Sequence, residues 1–187
     1  ICGTDLHAFT GKQPFFNYPR ILGHELALEI VDIGATNLQH DLAIGDLCCV
    51  RPYMNCGVCD ACRRGYDNAC VKLQVLGVHR DGGMQEFINV PIDKIHKSAL
   101  LNVDEFAIVE MLSIGCHAVR RAKLSEGEYV VVVGLGPIGL GVANFAHLAG
   151  AHVIAVDVSD SRLAFASQQS AIERCIDGKG DVIEQLK

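Results

Sequence analysis

Two different patterns of apolar and polar positions follow one another along this chain. From about Ile21 to Pro91, short β-branched runs alternate with turn residues. Leu26 to Ile33, Leu47 to Arg51 and Gln85 to Val90 read as strands, with turns at Gly34-Ala35, Gly45-Asp46 and Asp81-Gly82-Gly83. This predicts a compact, mostly antiparallel β domain. A helix is expected at about Asp104 to Ala122, where Ile108, Met111, Leu112 and Val119 recur at helical spacing. From Glu128 the pattern changes to a buried strand Val130 to Val133, a glycine turn, a helix Ile138 to Ala149, a strand Val153 to Val156 and a helix beginning near Ser159. A third strand is expected near Arg174 to Ile176. Alternating β and α segments predict a parallel sheet. The fold class is therefore α/β plus β.

One segment raises the question of a membrane. Tyr129 to Val156 runs for 28 residues without Asp, Glu, Lys or Arg, long enough to span a bilayer. It also carries five glycines, Pro137, Asn144, His147 and His152, and its pattern passes from β-branched to helical and back, so it reads as strand, turn, helix and strand. The 187 residues suit one large domain or two small or incomplete ones. Half are apolar and a fifth charged, which excludes a disordered or low-complexity chain. With 16 basic and 22 acidic side chains the net charge is -6, the wrong sign for a general binder of nucleic acid or anionic membrane. The chain opens at Ile1 without a charged-then-apolar leader, so no targeting segment is visible.

Cysteine is the next signal. Nine are present, an odd number for a disulfide scaffold, and Cys56, Cys59, Cys62 and Cys70 fall within 15 residues. Paired disulfides would crowd there, whereas one tetrahedral Zn²⁺ accepts four thiolates at this spacing, with Gly57 and Gly65 easing the backbone. Disulfides or free thiols are the alternative. Four protein ligands would close the metal's shell, making it structural. Arg63 and Arg64 read as solvated charges or as partners that damp the thiolate charge. The cysteine usage suggests a reducing, cytoplasmic setting.

Gly134-Leu-Gly136-Pro137-Ile138-Gly139 follows the strand Val130 to Val133 and opens a helix, and Asp157 ends the next strand 18 residues after Gly139. In that context the glycines read as a dinucleotide turn: Gly134 for the bend, Gly136 for approach to a pyrophosphate, Gly139 for close packing, with the phosphates at the positive end of the helix. Asp157 can accept hydrogen bonds from a ribose diol and would repel a 2′-phosphate, favouring NAD over NADP. Arg162 nearby softens that repulsion.

Cys2-Gly3-Thr4-Asp5-Leu6-His7 and Gly23-His24-Glu25 are each weak signals, since a lone Cys or His more often fills a core. Beside the cysteine loop and the glycine turn they complete an ordered set of four motifs that resembles the zinc-dependent medium-chain alcohol and polyol dehydrogenases over essentially the whole chain. The resemblance implies a GroES-like catalytic domain at residues 1–113, followed by the first half of a Rossmann domain at residues 114–187. It implies a second, catalytic zinc on Cys2 and His24. Thr4 would touch the reacting oxygen, His7 would end a proton relay, Asp5 would orient the zinc-bound histidine, and Glu25 would stand beside the metal. For the third ligand, Glu110 resembles the glutamate of the sorbitol and threonine dehydrogenase branches, and Cys116 is the rival.

The activity implied is hydride transfer from a secondary alcohol to NAD, with a polyol, sugar acid or threonine-like substrate. Leu76-Gly-Val-His79-Arg-Asp-Gly-Gly shows no residue that fixes the substrate. Only the first βαβαβ half of a dinucleotide fold is present, so the chain reads as an internal segment of a longer protein, inactive alone and homo-oligomeric at full length, with no nucleic-acid or membrane partner. The alternative is a zinc- and nucleotide-binding relative without turnover, serving as a sensor or a structural protein.

Overall fold

The computed structural model describes residues 1–187 and divides them into two compact units, Ile1–Glu110 and Met111–Lys187.

The first unit opens with helix α1 (Gly3–Phe9), which the sequence reading did not anticipate. Cys2 caps it, and the Asp5 side chain reaches back to the Cys2 amide to close a capping box. Strands β1 (Leu28–Glu29), β2 (Leu47–Val50) and β5 (Ile95–Lys97) form an antiparallel sheet in the order β1-β2-β5, with Leu28 opposite Cys48 and Cys49 opposite His96. Strands β3 (Tyr53–Met54) and β4 (Gln74–Val75) pair separately, and the short helix α2 (Asp60–Arg63) lies in the loop between them.

Two of the expected strands do not form as the sequence pattern predicts. Leu26 to Ile33 is laddered only at Leu28 and Glu29, although Leu26 and Ile30 are both buried. Gln85 to Val90 forms no strand. Ile88 and Val90 still pack against Val50, Met54 and Leu76, so the alternation was real, but alternation places side chains and a strand also needs a backbone partner.

Helix α3 (Val103–Ala122) agrees closely with the helical reading. Asn102 and Glu105 cap its start reciprocally, each side chain accepting the other's amide. Arg120 and Arg121 lie in its last turn, where positive charge suits the helix dipole.

The second unit is a parallel sheet of β6 (Tyr129–Val133), β7 (His152–Asp157) and β8 (Arg174–Asp177) in that order, with Val131 opposite Ile154 and Ala155 opposite Cys175. The crossover helices are α4 (Pro137–Leu148) and α5 (Asp160–Ala166), and α6 (Val182–Leu186) follows β8. The apolar stretch from Tyr129 to Val156 is thus β6, α4 and β7, and no helix is long and apolar enough to cross a membrane. Small side chains bring the layers together: Ala143, Ala146, Val153, Ala155 and Ala166 are all fully buried. A Cβ on Gly115 would lie 2.8 Å from the backbone of Gly141, so α3 and α4 touch main chain to main chain.

Candidate functional site

The four cysteines of the loop converge. The sulfurs of Cys56, Cys59, Cys62 and Cys70 all lie within 4.8 Å of one another. A tetrahedron of sulfurs about 2.3 Å from zinc has edges of about 3.8 Å, and the Cys59–Cys62 separation is 3.5 Å. Helix α2 begins directly after Cys59 and returns Cys62 to the same side three residues on. A single 3₁₀ turn, Asp67–Ala69, then delivers Cys70. Cys70 Sγ accepts the amides of Cys56 and Lys72 at 3.3 and 3.4 Å. The amides of Cys62 and Val71 lower the Cys59 thiol to about 6, while burial, then the Cys59 contact, pushes the Cys62 thiol up to about 11; a bound cation would favour the thiolate at both. The donor set therefore suits a closed zinc site. All nine cysteines are free. Arg63 and Arg64 are exposed, and Arg64 pairs with Asp60 at 3.4 Å.

The amino-terminal residues are organised around Asp5, which is only 2% exposed. One carboxylate oxygen accepts the Cys2 amide at 2.9 Å. The other accepts the Gly23 amide at 3.2 Å and lies 3.6 Å from His24 Nδ1. That last separation is longer than a hydrogen bond, and His24 Nδ1 makes none. Thr4 and His7, three positions apart on α1, share a face, with His7 exposed. Glu25, next to His24 in the chain, is half-buried.

The segment Gly23-His24-Glu25 rests on the motif that had no assigned task. Gly82 donates its amide to the Ile21 carbonyl, Gly83 to Gly23 and Met84 to Leu22. A Cβ on Gly82 would lie 2.2 Å from the Gly23 oxygen and 2.7 Å from Gly77 Cα. Leu76 to Gly83 is thus a backbone seat that holds His24. A pair of glycines in the sequence was the available sign, but the sequence did not show what they would press against.

Glu110, buried on α3, accepts a hydrogen bond from the Tyr53 hydroxyl at 3.3 Å. Burial raises its carboxyl above the usual range, the charge of Glu25 adds to this, and His24 opposes it. Burial, then the Glu110 charge, pushes the Tyr53 phenol up to about 12. Sequence reasoning missed Tyr53, since a lone tyrosine ahead of the cysteine loop carries no pattern. Cys2, His24 and Glu110 share this neighbourhood, but their donor atoms do not close to the spacing that the loop cysteines reach. Cys116 is half-buried, six positions after Glu110 on α3.

In the parallel sheet, Gly134 has φ +91°, open to glycine, and a Cβ on Gly139 would lie 1.8 Å from the Gly134 oxygen. Gly136 differs: its φ is -71°, and a Cβ there would meet nothing. The protein gives no internal reason for that glycine. Pro137 opens α4, where a missing amide is harmless, and Ile138 follows it. A cavity of about 520 Å³ is lined by Val133, Gly134, Gly136 and Ile138. A second, of about 390 Å³, lies at the carboxyl ends of the strands between Gly134, Asp157, Arg162 and Gly178, the position where open parallel sheets bind ligands. Both Asp157 oxygens are engaged: one accepts the Leu135 amide at 2.6 Å, the other the Ser159 amide at 2.8 Å. The Leu135 bond, then the Ser159 bond, holds its carboxyl below the usual 3.8. Arg162 Nη1 lies 3.6 Å from Asp157.

Comparisons with known proteins agree with this architecture. Residues 1–100 match the alcohol dehydrogenase GroES-like domain. L-galactonate-5-dehydrogenase of Escherichia coli K12 is 48% identical over 162 residues, covering 87% of this chain and 47% of that protein. Among solved structures, a zinc-binding dehydrogenase of Sinorhizobium meliloti 1021 bound to NADP superposes with a TM-score of 0.88 at 33% identity, covering 98% of this chain and 54% of that one. An alcohol dehydrogenase of Escherichia coli CFT073 complexed with NADH gives 0.88 at 30% identity, covering 100% and 54%. The chain spans about half the length of these relatives. It belongs to the zinc-type, NAD(P)-linked alcohol, polyol and sugar dehydrogenases, joining their GroES-like domain to a Rossmann-like parallel sheet.

Proposed function

We propose that this chain is part of an enzyme that transfers hydride between a secondary alcohol and NAD, with a sugar acid or polyol as substrate and a threonine-like alcohol as the next choice. The observation that carries the reading is the double grip of Asp5, which binds the amides of both Cys2 and Gly23 and so ties the two motifs that would hold a catalytic metal. The sugar-acid preference rests on the 48% identity to a galactonate dehydrogenase.

In this reading Cys2, His24 and Glu110 hold the catalytic zinc, and Cys56, Cys59, Cys62 and Cys70 hold the structural one. The bound zinc would make the substrate hydroxyl acidic near neutral pH, and the bound NAD would accept the hydride. Asp5 orients the His24 imidazole, and Tyr53 restrains one oxygen of Glu110. Glu25 stands beside the metal, able to alternate with solvent. Thr4 receives the hydroxyl proton, and His7, exposed on the same face of α1, passes it to water. Gly136 admits the pyrophosphate to the amides at the start of α4. Asp157 keeps its Leu135 and Ser159 bonds and offers its remaining lone pairs to the ribose diol, while its charge disfavours a 2′-phosphate; Arg162 moderates that preference. The full-length protein is expected to be a homo-oligomer in a reducing cytoplasm.

The test is steady-state oxidation of sugar acids, polyols and threonine by the full-length, zinc-loaded protein with NAD and with NADP. Turnover of a sugar acid with NAD supports the reading, and no turnover of any alcohol overturns it. One observation favours a second reading, a binding protein without turnover: only the loop cysteines bring their donor atoms to metal spacing. Zinc content separates the two, at two per chain for the enzyme and one for the binding protein.

A further inference from the structure

Lys94 is 3% exposed, and an ammonium tolerates such burial only with partners. It closes the 3₁₀ turn Ile92–Lys94 ahead of β5, and its carbonyl accepts the Arg51 amide at 2.8 Å. Its Nζ lies 3.4 Å from Asp93, whose carboxylate is more than half exposed, and it donates to Asn55 Oδ1. Asn55 immediately precedes the first loop cysteine, and its Nδ2 donates to Cys62 Sγ at 3.7 Å.

The direction of this chain is forced. An ammonium can only donate, so it takes the oxygen end of the carboxamide and leaves the nitrogen end for the sulfur. Four thiolates around a dication carry two net negative charges, and a cation one amide away offsets them in a partly dry setting. Arg63 and Arg64 are exposed and do not supply that charge from within. Cys70 draws its hydrogen bonds from main-chain amides, whereas Cys62 takes one from a side chain besides the Gly57 amide, and that side-chain contribution can be removed by mutation.

We propose that Asn55 and Lys94 are positioning residues of the cysteine-loop zinc site: Lys94 fixes the Asn55 amide, and that amide holds the Cys62 sulfur as a thiolate ligand. The proposal rests on the zinc reading of the loop and assigns a task to two residues outside the four-cysteine motif.

The test follows zinc transfer from the loaded protein to a chromophoric chelator, and the thiolate-to-metal charge-transfer band of the cobalt-substituted protein. It compares Asn55→Ala, Asn55→Asp and Lys94→Met with the unaltered chain. Loss of one supporting hydrogen bond should speed metal release by roughly ten- to a hundredfold in Asn55→Ala. Asn55→Asp keeps an oxygen for Lys94 and nearly the same shape but turns a carboxylate oxygen toward the sulfur, so it should release metal faster still. Lys94→Met should fall between Asn55→Ala and the unaltered chain. All three should shift the charge-transfer band. Asn55→Asp decides the matter, because it keeps Lys94 paired: release at the unaltered rate with an unshifted band would reduce the pair to packing and overturn the proposal. If the unaltered chain binds neither zinc nor cobalt, the zinc reading of the loop fails instead.

Discussion

Gly136 and Gly139 belong to one motif but exist for different reasons. A Cβ on Gly139 collides with the Gly134 carbonyl, which is backbone and cannot move aside, whereas a Cβ on Gly136 meets open space at an ordinary φ. Gly139→Ala should therefore unfold or severely destabilise the parallel-sheet unit. Gly136→Ala should leave the melting temperature within a degree or two and abolish NADH binding, since its methyl would occupy the pyrophosphate path. Thermal melts and NADH fluorescence titration check both, and unchanged NADH affinity in Gly136→Ala would remove the phosphate from that spot.

Asp157 shows the same dual use. Because its folded-state pKa lies below the usual 3.8, the charged form is the one that folding favours. Its stabilising contribution is then fully present above that value and is lost as pH falls through the depressed one. Asp157→Asn should lower the melting temperature by a constant amount from pH 8 to about 5, and the gap should narrow below 3.8. A gap that widens in acid would show that the Leu135 and Ser159 bonds do not favour the carboxylate.

Among the elements, those with a strong period were legible and those held by tertiary contacts were not. Strands β6 and β7 with helix α4 could be read because a β-branched run, a glycine turn and a helical stripe each carry their own signal. The cysteine loop was legible because ligand spacing is a local property. Helix α1 has seven residues, too few for a stripe to repeat, and it depends on a capping box supplied by Asp5. The seat formed by Leu76 to Gly83 was unreadable for another reason: its function is close backbone contact with residues some 60 positions earlier, which no local pattern encodes. Tyr53 is in the same position, since only the fold brings it to Glu110.

Helix α3 also bears on the two rival zinc ligands. Six positions along a helix is a rotation of about 240°, so Cys116 and Glu110 project in different directions, and Glu110 is the one beside Tyr53 and under the influence of His24. On the proposed function, Glu110→Ala in the full-length protein should therefore reduce zinc from about two per chain to about one and lower kcat by orders of magnitude, because in that reading the zinc is what would make the alcohol acidic. Cys116→Ala should keep both metals and lose only modest stability. The reverse result in metal analysis would assign the site to a two-cysteine set.

At the scale of the whole molecule, the two units have different sources of order, and metal removal should separate them. Residues Met111–Lys187 close a parallel sheet over a core of Val132, Val153, Ala155, Ala143 and Ala146, a core that needs no ion. The first unit has a thinner apolar cluster in Val50, Met54 and Leu76, flanked by strands of two to four residues. Such short strands give little independent stability, and the loop between β3 and β4 is closed by the cysteine cluster itself. Zinc binding in such a loop is folding free energy, on the order of 10 kcal/mol at pH 7. Stripping the metal, by chelator or by Cys59→Ser, should therefore collapse hydrogen-exchange protection from about residue 53 to residue 75. Amides of β6, β7 and β8 should exchange at their original rates. Mass-spectrometric exchange on matched loaded and stripped samples measures both at once. Equal loss of protection in the parallel sheet would mean that the two units unfold as one and that the zinc stabilises the whole chain.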